Sequence, residues 1–321
     1  MRVGDRGSLL SSAAVTVGVL AVSSSAPLIA FAAAPALAIA FWRNALATVV
    51  LAPVSLGPRR AELRDVVAGD RRSDGVLCLL AGLALAAHFA AWMPSVQLTS
   101  VATAIALVAT QPVWQGLIAA VQGRRPPLLG WVGIGLAVAG AAWATGADIG
   151  VSSRAVAGDV LALVGGLLAA VYTALGERAR IRLSTTTYTS ICYGVCALVL
   201  LAVCLVGGVR LGGYDPRTWA AILALAAGAQ LLGHSMFNYA LHRISATTVS
   251  VLILLEVPGA ALLAWLWLEQ VPRPAALPGL ALLLVGVAVV LLGGARDRQR
   301  RTSKPDPEAA VADEPEVSPP R

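Results

Sequence analysis

Ten runs of apolar residues, each long enough to cross a lipid bilayer as a helix, constrain this chain more than any other feature. A hydrocarbon core of about 30 Å takes about 20 helical residues to cross. Runs bounded by charge, Pro or Gly fall at 9–31, 35–56, 75–94, 98–121, 128–147, 157–176, 186–207, 217–240, 246–268 and 275–294. Inside a bilayer every backbone N–H and C=O must find a partner within the protein, and helices achieve this segment by segment. The expected fold is therefore all-α: a polytopic membrane protein with ten transmembrane helices. Of 321 residues, 58% are hydrophobic and 13% charged, where a soluble domain carries about a quarter charged. This excludes a disordered chain, a disulfide scaffold and a nucleic-acid binder. The first expected partner is the lipid bilayer. The first run follows Arg2 and Arg6, as in a signal peptide, but its length and the nine runs behind it favour an uncleaved anchor.

Charge orients the spans. If all ten cross, one side receives 19 Lys and Arg residues, including the 57–74 loop, Arg124, Arg125, Arg178, Arg180, Arg182 and Arg243, while the other receives 4. Arg43 is left inside a span. Cytoplasmic loops carry the excess of Lys and Arg, so both termini are placed in the cytoplasm at the inner (plasma) membrane. Residues 1–8 form the cytoplasmic N-terminus. Residues 295–321, basic and then acidic and Pro-rich, read as a disordered tail.

An internal repeat is visible at an offset of 146 residues. It aligns Gly82 with Gly228, His88 with His234, Pro112 with Pro258, Pro126 with Pro272, Gly133 with Gly279 and Gly140 with Gly286. The matches lie in the last three spans of each half, 9–147 and 157–294. Five spans is an odd number, so the second half enters the membrane from the opposite face. Two halves related by an axis in the membrane plane are a device of secondary transporters, whose halves exchange conformations to open the centre to each side in turn.

Several stretches in order carry a family resemblance. They are Phe41-Trp42-Arg43-Asn44, the run Thr99-Ser100-Val101-Ala102 leading to Pro112, and Gly158-Asp159-Val160-Leu161-Ala162. Phe237-Asn238-Tyr239-Ala240-Leu241, Leu254-Leu255-Glu256 and Leu268-Glu269 before Pro272 follow. Together they resemble the EamA-type transporters of the drug/metabolite transporter superfamily over roughly 9–294. The chain departs from that pattern where Val257 separates Glu256 from Pro258, where Gln122-Gly123-Arg124 stands, and in Ser23-Ser24-Ser25-Ala26-Pro27. The resemblance implies ten helices and export or uptake of a small metabolite or drug.

Polar residues inside spans are costly and mark candidate sites. Glu256 lies about ten residues into the ninth span, hence about 15 Å deep at 1.5 Å per residue. A carboxyl there is the candidate proton-coupling group, or else a buried tie between helices. Arg43, about 12 Å deep by the same rise, would clamp a substrate carboxylate or serve as the permanent ion partner of Glu256. The two readings differ in geometry, because a substrate site keeps the pair apart across a cavity. His88 and His234 occupy equivalent places in the two halves, as ligands or proton relays or as packed hydrogen-bonders. Trp92 and Asn238, another repeat pair, join them as substrate-binding candidates with Gln111. Pro112 and Pro258 are candidate hinges, since each removes a backbone hydrogen bond.

Gly133, Gly135, Gly140, Gly279 and Gly286 let helices approach closely, and the fifth and tenth spans read as packing or homodimer elements. Gly165-Gly166 reads as helix packing, not as a nucleotide loop. Cys78, Cys192, Cys196 and Cys204 lack partners at zinc spacing and read as small hydrophobes. No metal, cofactor or ATP site is expected. The reading is a secondary, proton-coupled transporter, an exporter of a small polar metabolite or drug as its small-molecule solute, working by alternating access, and not an enzyme. The rivals are a non-transporting membrane sensor or assembly protein and an intramembrane enzyme built on Glu256 and His234.

Overall fold

The computed structural model describes residues 3–99, 101–145, 152–268 and 274–302. Among them eight helices are long and apolar enough to cross a membrane, from Leu10–Ile29 to Pro274–Gly293, with two shorter apolar helices, Leu128–Ala144 and Ala246–Ala260, between. The ten units follow the ten apolar runs in order.

Breaks within units fall where the chain loses a backbone donor or gains a competing hydroxyl. The first unit is Val3–Ser23 followed by Ser25–Phe31, and at the break the Ser23 and Ser24 hydroxyls donate back to the carbonyls of Val19 and Ala21. The fourth unit is Val101–Val108 followed by Gln111–Val121. The ninth is Ala246–Ile253 followed by Glu256–Leu268. Both interruptions lie just ahead of the repeat-related Pro112 and Pro258, whose missing N–H would have bonded four residues back. The eighth unit begins as an α-helix, Pro216–Leu225, widens into a π-helix over Ala226–His234, and ends as Ser235–Ala240.

The other units are uninterrupted: Ala36–Leu56, Arg72–Leu98, Leu128–Thr145, Ser153–Arg180, Thr185–Val206 and Leu277–Thr302. A short amphipathic helix, Arg60–Ala68, occupies the basic 57–74 loop, which composition alone does not mark as helical. The irregular tail expected from 295 gives way over 295–302, where the helix continues to Thr302. Ala295, Arg296, Arg298, Gln299, Arg300 and Arg301 are good helix formers and need no membrane to stay helical. Residues 303–321 lie outside the described part.

Packing repeats in exchanged pairs. The third unit lies along the sixth and the eighth along the first; the third also meets the seventh, and the eighth meets the second. Two pairs map onto themselves, second with seventh and fifth with tenth. In the last pair the glycines cross antiparallel. A Cβ on Gly133 would sit 2.8 Å from the Gly286 carbonyl, and one on Gly140 would sit 2.7 Å from that of Gly279. Four of the five glycines that left packing and dimerisation open are thus used within the chain, and only Gly135 faces open space. Gly165 and Gly166 likewise serve packing, against Trp92 and the Val108 carbonyl. All four cysteines are free and buried.

Candidate functional site

Six units and one side chain from a seventh line a cavity of about 100 Å³, room for several waters or a small solute group. Arg43, His88, Trp92, Gln111, His234, Asn238 and Glu256 all line it. Residues up to 213 positions apart in sequence are brought together because each lies on the inward face of its own helix. Pro112 and Pro258 are not in the lining, but each stands within two residues of a lining residue that is (Gln111 and Glu256) at a helix break.

Arg43 is only 1% exposed. Its Nε donates to Gln230 Oε1 at 2.9 Å, and its guanidinium carbon lies 4.5 Å from the Phe89 ring centroid, a cation–π arrangement. Among the described residues no ion pair joins Arg43 to Glu256. The two side chains therefore share a cavity without forming an ion pair.

His88 Nδ1 lies 2.9 Å from the Gly165 carbonyl. A carbonyl can only accept, which places the proton on Nδ1 and leaves Nε2 as an acceptor in the neutral ring. The ring stacks on Trp92 with centroids 5.9 Å apart and planes 5° apart. His234 meets Phe89 edge-on at 5.6 Å and Tyr172 at 6.1 Å. Asn238 Nδ2 donates to the Tyr172 hydroxyl at 2.6 Å, and Gln111 Nε2 donates to Thr173 Oγ1 at 3.2 Å.

Tyr172, Thr173 and Ser250 also line the cavity and were missed from the sequence. The signal was present in the sixth unit, where Ala169, Tyr172 and Thr173 follow the i, i+3, i+4 spacing of one helix face. Gln230 lies behind the lining, and its position could not be read before the packing of the second unit against the eighth was known.

On the face that bears the basic loops, a polar latch ties the units that line the cavity. Arg124 Nη2 donates to Glu177 Oε2 at 2.8 Å, and Glu177 Oε1 accepts the Ala246 N–H at the start of the ninth unit at 3.2 Å. One turn on, Arg180 Nε donates to the Asn238 carbonyl at 2.9 Å, and His242 Nδ1 lies 3.1 Å from the Arg180 carbonyl. The sixth unit thereby ties the fourth, eighth and ninth together at that end.

The sequence profile of the EamA-like transporter family matches twice, over residues 8–146 and 156–292. The chain belongs to the EamA-like transporter family. Two EamA domains in tandem agree with the internal repeat, and the family is one of multi-pass membrane transporters rather than enzymes. An uncharacterised transporter of Archaeoglobus fulgidus is 30% identical over 122 residues, which is 38% of this chain and 42% of that protein. This chain therefore spans less than half the length of that relative. A solved crystal structure superposes with a TM-score of 0.70 at 19% identity, covering 89% of this EamA-like chain and 98% of the other. That likeness shows the fold.

Proposed function

We propose that this EamA-like protein is a ten-span secondary transporter, built as two inverted five-helix halves, that carries a small polar solute through the central cavity by alternating access. The observation that carries the reading is the unpaired presence of Arg43 and Glu256 on one cavity. A permanent structural ion pair would bring the two into contact, because isolated buried charges are costly. Kept apart, they leave Arg43 free for an anionic solute group and Glu256 free to exchange a proton.

The exchanged packing pairs support the inverted arrangement. Residues at equivalent positions, such as His88 and His234, come to one place from opposite ends of the bundle, as an axis through the cavity requires. The interruptions ahead of Pro112 and Pro258 supply hinges where the fourth and ninth units can bend. The basic loops gather at the latch-bearing face, which is assigned to the cytoplasm together with both termini.

The test begins by overexpressing the protein and comparing metabolites inside and outside the cell, which names the solute. Wild type and Glu256→Gln are then reconstituted in liposomes with an imposed pH gradient. Wild type accumulates solute against its gradient; Glu256→Gln retains exchange and loses accumulation. Equal gradient-driven accumulation by the two would remove Glu256 from coupling, and absence of flux in wild type would overturn the carrier reading itself.

A further inference from the structure

We propose that Gln230 is a positioning residue for solute recognition, fixing the Arg43 guanidinium so that its Nη1/Nη2 edge receives a carboxylate end-on. The inference rests on the reading of Arg43 as a solute contact and adds the class of group it takes.

Gln230 is fully buried and lies behind the cavity lining. The amide orientation follows from its partner: Arg43 Nε can only donate, so Oε1 must face it, at 2.9 Å. A guanidinium has five N–H groups, one on Nε and four on the terminal nitrogens. Gln230 occupies the first. The remaining four make no hydrogen bond to any described residue, and Phe89 covers one face of the group. What is left free is the outer edge, where two parallel N–H groups match the two oxygens of a carboxylate. Among the described residues Arg43 is the one arginine or lysine in the cavity lining, so a monoanion balances it where a phosphate dianion would leave a negative charge over. The rings of His88, Trp92 and Tyr172 supply an aromatic wall for the rest of the molecule.

The backbone around Gln230 is specialised for this placement. It lies in the π-helical stretch Ala226–His234, and such widened turns are rare and frequent at functional sites. The Tyr193 and Ser235 hydroxyls lie 3.5 and 3.4 Å from the Gln230 carbonyl, where the widened turn leaves the α-helical ladder. In the other half the equivalent stretch is plain α-helix within Arg72–Leu98, and the residue at the Gln230 position is Ala84. The amide is therefore a feature of one half, as expected of a specificity device and not of the shared scaffold. Gln230 Nε2 has no partner among the described residues, so of its amide groups only Oε1 is engaged, with Arg43.

The test measures binding of phenylacetate and of its uncharged counterpart phenylacetamide to the purified full chain in detergent, by calorimetry and by thermal shift. Wild type is expected to prefer the carboxylate. Arg43→Gln abolishes the preference. Gln230→Met, similar in volume, lowers the unliganded melting temperature because the buried Arg43 Nε loses its acceptor, and weakens phenylacetate about tenfold, the scale of one hydrogen bond to a charged group, with phenylacetamide unchanged. Gln230→Glu draws Arg43 into a buried ion pair and removes the preference; should the Met variant not fold, this variant decides. Loss of preference in Arg43→Gln with wild-type preference in both Gln230 variants overturns the role of Gln230 alone. Wild-type preference in Arg43→Gln, or none in wild type, overturns the Arg43 reading and with it this one.

Discussion

Polar side chains in this protein are arranged mostly as donor–acceptor pairs around an apolar frame; of the residues with a buried polar atom left unpartnered among the described part, only Trp92 lines the cavity. Asn238 shows the principle. Its side chain donates to the Tyr172 hydroxyl at 2.6 Å, while its carbonyl accepts from Arg180 at 2.9 Å, so one residue connects the cavity wall to the latch below it. Removing a buried partner leaves the other unsatisfied, which costs about 1–3 kcal/mol. Tyr172→Phe is therefore expected to lower stability by roughly that amount, and Asn238→Leu added to it should cost less than the two single changes together. Melting of the single and double variants in one detergent measures the coupling; strict additivity would mean the pair contributes nothing. At this scale the sequence was informative where a residue type is rare. Glu256, Arg43 and the two histidines stand out in apolar runs because a bilayer tolerates them only for cause. Gln230 and Ser250 do not stand out, because an amide or hydroxyl in a helix is cheap enough to be common.

Among the elements, the short helix Arg60–Ala68 has the most specific attachment. Glu62 accepts the Ser184 N–H at 2.8 Å and the Ser184 and Thr187 hydroxyls at 2.6 and 2.9 Å. It thus meets the N-terminus of the helix Thr185–Val206, where unsatisfied N–H groups and the helix dipole favour negative charge. Partial burial pushes the Glu62 carboxyl upward, but the Ser184 and Thr187 hydrogen bonds and Arg59 outweigh it and hold the group below the usual carboxylate range. A carboxyl lowered by folding contributes stability that is present above its ordinary value, near 4.3, and is lost as pH falls through the lowered one. Hydrogen exchange at 60–68 and at the first turn of Thr185–Val206 should accelerate in acid in wild type and show no such transition in Glu62→Gln. The apolar runs gave the order of the units, of which eight are long and apolar enough to cross a membrane and two are shorter among the described residues. They could not give this helix, whose amphipathic pattern is short, nor the π-helical turn, which depends on what the eighth unit packs against.

For the molecule as a whole, the two ends of the cavity are chemically unlike. The latch end is held by an ion pair and charged hydrogen bonds. The other end carries hydrogen bonds such as Ala33 N–H to Thr218 Oγ1 at 3.2 Å and Trp42 Nε1 to the Leu211 carbonyl at 2.7 Å, and no ion pair among the described residues. Breaking the latch end should shift the population toward a state open on the basic face. In Glu177→Gln, a cysteine placed at Ser250 is expected to react several-fold faster with a membrane-impermeant maleimide applied from that face, because a neutral amide loses the attraction for Arg124; unchanged labelling would show that the latch does not gate the cavity. Composition and spacing settled that the chain crosses a membrane repeatedly, in what order, and with a duplicated plan, since each of these depends on hydrophobic length and periodicity, which are local properties of the chain. The convergence of Arg43, Glu256 and the histidines on one cavity, the separation of that charge pair, the crossing of the glycines of the fifth and tenth units, and the position of Gln230 behind Arg43 depend on contacts between segments more than a hundred residues apart. Only packing in three dimensions fixes those, because burial and charge pairing depend on which helices become neighbours.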